Sequence, residues 1–137
     1  MGCPVIGRFL YDSTTAQAVA AGAPVLLPGV TVSGNCLVYD AGGIQIKAPG
    51  TYVVLANFTA TATAVGNVGV QMQENGVASP GAQAQGTAAA VGDEVPLSFT
   101  ALVTVEPGGG GSFATLTFDS LTASSFIVGS VIVRKVA

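Results

Sequence analysis

The residues able to do chemistry are few: seven carboxylates, four cations, two cysteines and no histidine. Without imidazole there is no Ser-His-Asp or Cys-His relay and no ordinary histidine zinc site. Cys3 and Cys36 cannot form a four-cysteine centre within one chain. What remains is acid–base work by carboxylate pairs. Asp93 and Glu94 are adjacent, so on a strand they would point to opposite faces and could not share a substrate. Glycosidase pairs sit roughly 5–10 Å apart across a cleft, and nothing in the sequence predicts a cleft. A solvated loop is the better reading of Asp93-Glu94, and no enzymatic activity is expected.

Carboxylates can also hold calcium, which needs several oxygens from a compact loop. Asp40, Asp93, Glu94 and Asp119 fall in or beside turns, but no run resembles an EF-hand loop. Gly108 to Gly111 lacks the Lys-Ser/Thr that completes a phosphate cradle, so it reads as a flexible hairpin. Asn57-Phe58-Thr59 matches a glycosylation acceptor but falls in the middle of an expected strand. No cofactor is expected.

The elements that must carry these residues are bounded by composition. At 137 residues and 13.4 kDa the chain fits one domain. Half of it is apolar and the mean hydropathy is +0.65, which rules out disorder. Charged residues make up only 8%, against about 25% in an ordinary domain. So weakly charged a surface points to coverage by sister subunits or a larger assembly, the alternative being solvation by Thr, Ser, Gln and Asn. Four scattered cations, Arg8, Lys47, Arg134 and Lys135, in a chain of net charge −3 do not make a nucleic-acid surface. Gly, Pro and Thr break every apolar run, so no transmembrane helix is expected. Met1 to Ile6 has neither a basic region leading into an apolar run nor the Ser or Thr of a myristoylation motif. Without a signal, Cys3 and Cys36 read as free, small apolar residues rather than as a bridge, the bridge being the alternative.

Along the chain the dominant period is two. Thr14 to Ala23 is the best helical candidate, but it lacks a wide apolar stripe. Val25-Leu26-Leu27 reads as a short strand, followed by Asn35 to Tyr39 and, after the Asp40 to Gly43 turn cluster, Ile44 to Lys47. Ala48-Pro49-Gly50 is a tight corner. Thr51 to Thr63 is the longest strand, with Tyr52, Val54, Ala56, Phe58, Ala60 and Ala62 on one face; its first half is apolar on both faces, as if covered on both sides. Asn75-Gly76 closes a hairpin after Val68 to Glu74. Ala78 to Val91 reads as an irregular strand and a long loop. Pro96 to Glu106, Phe113 to Asp119 and Phe126 to Val136 complete the set, with aromatic residues on core or subunit-interface faces. Frequent turns and no crossover helices mean an all-β sandwich or barrel.

Ile44-Gln45-Ile46-Lys47-Ala48-Pro49-Gly50-Thr51-Tyr52 resembles the strand-turn-strand of C1q/TNF-like jelly rolls. Gln17 to Leu26 resembles the opening of bacterial members such as the spore-surface BclA-type tip. Asn75-Gly76-Val77 with Pro80-Gly81 is similar to their central hairpin, and Gly129 to Val136 to their last strand. The resemblance implies an all-β, single-domain jelly-roll sandwich of about ten antiparallel strands, assembling as a homotrimer. It divides the chain into an N-terminal anchor or edge segment, 1–14, and a jelly-roll domain, 15–137. No collagen-like stalk precedes the domain in this sequence, which favours a free-standing trimer in the virion of a bacteriophage, as a capsid decoration or head-fibre protein. Phage capsid or fibre proteins are then its partners, with no nucleic acid and no membrane. Val5, Ile6, Phe9, Leu10 and Tyr11 are the expected anchor. The alternative is a recognition module on a bacterial cell or spore surface, binding a glycan or protein receptor through Ala78 to Gly92 and Leu121 to Ser125.

Overall fold

The computed structural model describes residues 6–33, 36–40, 42–106 and 114–137. These form ten strands. They are β1 (Ile6–Val19), β2 (Gly29–Ser33), β3 (Leu37–Asp40), β4 (Gly43–Ile46), β5 (Gly50–Ala62), β6 (Gly66–Glu74), β7 (Val77–Ala88), β8 (Glu94–Val105), β9 (Ala114–Ser120) and β10 (Ser124–Lys135). Two five-stranded sheets result, in the orders β2-β1-β10-β5-β8 and β3-β4-β9-β6-β7. Every ladder is antiparallel, and the first and last strands lie side by side. Alternate strands contribute to opposite sheets, so the core must be built between the sheets from one face of each strand. No helix of the described residues is long and apolar enough to cross a membrane.

β5 shows why the period-two reading works. Its inward face, Tyr52, Val54, Ala56, Phe58, Ala60 and Ala62, is buried along its whole length. Phe58 lies edge-on to Phe126 at 6.2 Å and tilted against Phe118 at 5.9 Å, which knits the two sheets together. The small alanines let the sheets close on these rings. Tyr52 reaches a partner despite its burial: its hydroxyl donates to the Ala48 carbonyl at 2.6 Å, and desolvation raises its pKa above the ordinary tyrosine value.

Turn chemistry fixes the register. Asn75 and Gly76 have φ of 53° and 82°, the doubly positive pair of a type I′ hairpin. Asn75 is held twice: its N–H donates to the Thr115 carbonyl and its Oδ1 accepts from the Thr115 N–H, both at 2.9 Å. At the Ala48-Pro49-Gly50 corner, Gly50 has φ 143°.

Three expectations change. Residues 14–19 continue β1 instead of forming a helix, because their backbone pairs with β10 as far as Val19↔Ser124. The boundary drawn at residue 14 therefore falls inside a strand that shares the core. Residues 25–27 are not a strand: Val25 and Leu27 are each 1% exposed, but the segment is a strap joined to β9 by the Val25 N–H to Phe118 carbonyl bond. The Tyr39 hydroxyl holds that strap by accepting from the Leu27 N–H at 2.7 Å. Finally, residues 77–88 are one strand, with only a tight turn before β8. Its irregularity is a bulge opposite Gln71–Gln73, where the Gln71 amide donates to the carbonyls of Met72, Ser79 and Ala82. The side chain replaces ladder bonds that the bulge removes, a substitution invisible to hydrophobic patterning.

Candidate functional site

The carboxylates do not converge. Asp93 caps its own turn, Oδ2 accepting from the Ala89 and Ala90 N–H groups at 3.1 and 3.0 Å. Glu94 begins β8 beside Thr61, and Asp40 ends β3. Asp119 is 9% exposed, opposite Gln71 on β6 and bridged to Pro24 of the strap. Its Oδ1 is buried with no hydrogen-bond partner among the described residues. Desolvation raises its pKa, and a hydrogen bond from the Thr117 side chain lowers it in part. Among the described residues no group of three or more His, Cys, Asp or Glu side chains could hold a metal ion. Gly108 to Gly111 and Phe113 lie outside the described residues.

The expected anchor residues divide. Val5 lies outside the described residues. Phe9 is wholly buried and packs its ring 6.1 Å from Tyr39, so it belongs to the sandwich's own core. Tyr11 is half-buried against that core and donates its hydroxyl to the Thr15 carbonyl. Leu10 and Ile6 face the other way, and Ile6 is 48% exposed. Period two splits the segment: odd residues build the interior, even residues reach the outer face. The reading of Cys36 as a free thiol is corrected: Cys36 is buried and disulfide-bonded, and Cys3 lies outside the described residues.

What the fold does assemble is a surface. On the outer face of the β2-β1-β10-β5-β8 sheet, the register places Ile6, Arg134, Val53 and Leu102 in one row across four strands. The next row carries Thr31, Arg8, Ile132, Leu55 and Thr100. Leu102 is 69% exposed, Ile6 48% and Leu55 40%. A groove of about 370 Å³ runs beside them, lined by Ile6, Gly7, Arg8, Thr31, Val32 and Ile132. Large aliphatic groups thus occupy the middle of a sheet face that water would otherwise cover.

The other sheet differs. Its outer rows pair Gln71 with Gln83 and Asp119, Gln73 with Thr117, Asn67 with Thr87 and Gln45 with Thr115. That face is solvated by amides and hydroxyls without charge. Both explanations for the low charge content therefore hold, one for each sheet. The two loops expected to carry recognition contacts are small: 78–88 belongs to β7, and 121–123 is a short turn.

No protein-family model and no curated protein matches the chain. Its backbone is similar to Eiger TNF from S. frugiperda, with a TM-score of 0.75 at 10% identity over 98% of this chain and 94% of that one. It is also similar to a phage vertex protein, PRD1 P5, with a TM-score of 0.62 at 16% identity over the whole of both chains. Murine APRIL gives 0.67 at 9% identity, over 94% of this chain and 98% of that one. At such identities the likeness concerns the fold, which is an all-β, TNF-like jelly roll.

Proposed function

We propose that this chain is a non-enzymatic structural module that assembles as a homotrimer through the outer face of its β2-β1-β10-β5-β8 sheet, and that the trimer is a bacteriophage virion component, a capsid decoration or head-fibre protein of the bacterial and phage C1q/TNF-like type. The carrying observation is the contrast between the two outer faces: Leu102, Ile6 and Leu55 stand exposed on one, while glutamine and threonine cover the other. Burying an aliphatic side chain that is otherwise exposed is worth about 1.5–3 kcal/mol. Several per subunit give association a driving force that the polar sheet lacks. The similarity to a phage vertex protein supports the virion setting.

The test is native mass spectrometry of the purified chain. A species of three times 13.4 kDa is expected, and a monomer at micromolar concentration would end the proposal. For attachment, removal of residues 1–5 is the informative truncation. Removing 1–11 would also take Phe9 from the core and seven paired positions from β1. Loss of capsid binding by an intact 6–137 trimer would support an anchor at the N-terminus, and unchanged binding would remove it.

A recognition module on a bacterial cell or spore surface is the second reading. The uncharged face around Gln71, Gln83 and Thr117 favours it, since amides and hydroxyls suit neutral sugar hydroxyls. A glycan array probed with the trimer, where avidity amplifies weak contacts, separates the readings: reproducible hits lost in Gln83→Ala would favour recognition.

A further inference from the structure

The four cations are far apart in sequence, yet the fold gathers them. Lys47 follows β4, its N–H donating to the Cys36 carbonyl at 2.8 Å. Three residues later Gly50 opens β5 opposite Val105, and Tyr52 faces Lys135. Ile6 pairs with Arg134, with Arg8 two residues on. The Thr51 N–H donates to the Ala137 carbonyl at 3.1 Å, so the C-terminus ends here too. This end of the sandwich, the base, carries Arg8, Lys47, Arg134 and Lys135 against Glu74 and Glu106, a formal +2.

The remaining carboxylates lie toward the opposite end. The Ala62 N–H, at the end of β5, donates to the Asp93 carbonyl at 2.9 Å, and Glu94 pairs with Thr61. Asp119 lies against Pro24, and a Cβ on Gly42, in the turn that follows Asp40, would touch the same proline. Asp12 pairs with Val128, which is opposite Thr59 in the same half. These five carboxylates, with no cation among them, make a formal −5 and complete the chain's −3. A strand the length of β5 spans about 40 Å, several times the Debye length of about 8 Å at physiological salt. The two ends therefore act as separate electrostatic surfaces, not as one averaged charge.

We infer that the base is a docking surface for an acidic protein surface, and that the acidic end faces away from it. Glu74 and Glu106 set among the cations make a mosaic of both signs, the pattern of a protein–protein contact. Arg8 and Arg134 alternate with Ile132 and Ile6 across the β1–β10 ladder, and arginine beside aliphatic groups suits a protein partner. A polyanion such as DNA meets the same two carboxylates and the field of a net acidic chain. The inference rests on the proposed trimer only for its strength. Cyclic symmetry adds the axial part of each subunit's charge separation and cancels only the transverse part, so three copies standing side by side triple both poles.

The experiment uses the full chain over surfaces coated with polyglutamate, with double-stranded DNA, or with phosphatidylglycerol vesicles, at matched ionic strength. The wild-type protein should bind polyglutamate, weakening steadily as salt rises. Lys47→Glu combined with Lys135→Gln should weaken binding by at least about tenfold. Asp40→Lys combined with Glu94→Lys, at the far end, should not weaken it. Equal binding by the base variant, weaker binding by the far-end variant, or tighter binding to DNA or vesicles than to polyglutamate would each overturn the inference. Native mass measured on the same samples keeps the two proposals apart. A monomer that binds through its base refutes only the trimer, and a trimer that ignores polyglutamate refutes only the docking base.

Discussion

Asp119 shows how a side chain can be placed against its own chemistry. The carboxyl is buried with Oδ1 unpartnered, and burial raises its pKa above the ordinary 3.8. The folded state thus holds a proton that the unfolded chain releases. Between the unfolded and the raised folded value the native state binds more protons, so this group's contribution to stability falls as pH rises through that window and stays low at neutral pH. Asp119→Asn removes the charge with little change of shape. Its melting temperature relative to wild type should therefore climb between about pH 3.5 and about pH 7; a constant difference across that range would show that burial does not perturb the group. Phe9 makes the opposite case, an apolar residue wholly committed to the core. Phe9→Ala should cost about 3–5 kcal/mol, read as a lowered denaturation midpoint, whereas Ile6→Ala on the outer face should leave the isolated subunit's stability nearly unchanged.

Among the elements, the β6–β7 hairpin has the most particular requirements. Asn75 combines φ of 53° with two bonds to Thr115 of β9, so it both forms the turn and ties it to a third strand. Asn75→Val brings a β-branched side chain into the left-handed region and loses the Oδ1 acceptor. A loss of about 2–3 kcal/mol is expected from the two effects together, while Asn75→Gly should recover the conformational part. Equilibrium unfolding of both variants measures the split. Asn-Gly was legible in the sequence because two residues of a known type carry the whole signal. The regular strand running on past Pro80-Gly81 was not, because it depends on the Gln71 amide reaching three carbonyls across the bulge. The strap at residues 25–27 was misjudged for a related reason: alternation of Val25 and Leu27 reports burial, not ladder pairing.

For the whole molecule, the outer face of the β2-β1-β10-β5-β8 sheet decides solubility and assembly together. Leu55→Glu with Leu102→Glu replaces two exposed aliphatic groups and touches none of the core. The double variant is expected to fold with a wild-type circular dichroism spectrum and to run as a monomer in native mass spectrometry. A trimer retained at micromolar concentration would place the subunit contact elsewhere. The same sheet accounts for the double-sided apolar start of β5: Tyr52 and Val54 point into the sandwich, while Val53 and Leu55 point at the proposed neighbour.

The sequence by itself determined the strand count, the inward faces of the long strands and the Asn75-Gly76 turn, because each is set by a period of two or by local backbone preference. It also showed how little catalytic chemistry is present, since the missing histidines are a matter of composition. Only the tertiary structure decided which odd and even residues of 6–11 face the core, which of the two outer faces is apolar, and that four cations scattered along the chain meet at one end. Those outcomes depend on strand pairing between residues more than a hundred positions apart, such as Ile6 with Arg134. No local pattern encodes that partner. The carboxylates that might have done chemistry were likewise assigned by the fold: one caps a turn, one is buried beneath a proline, and the others stand apart.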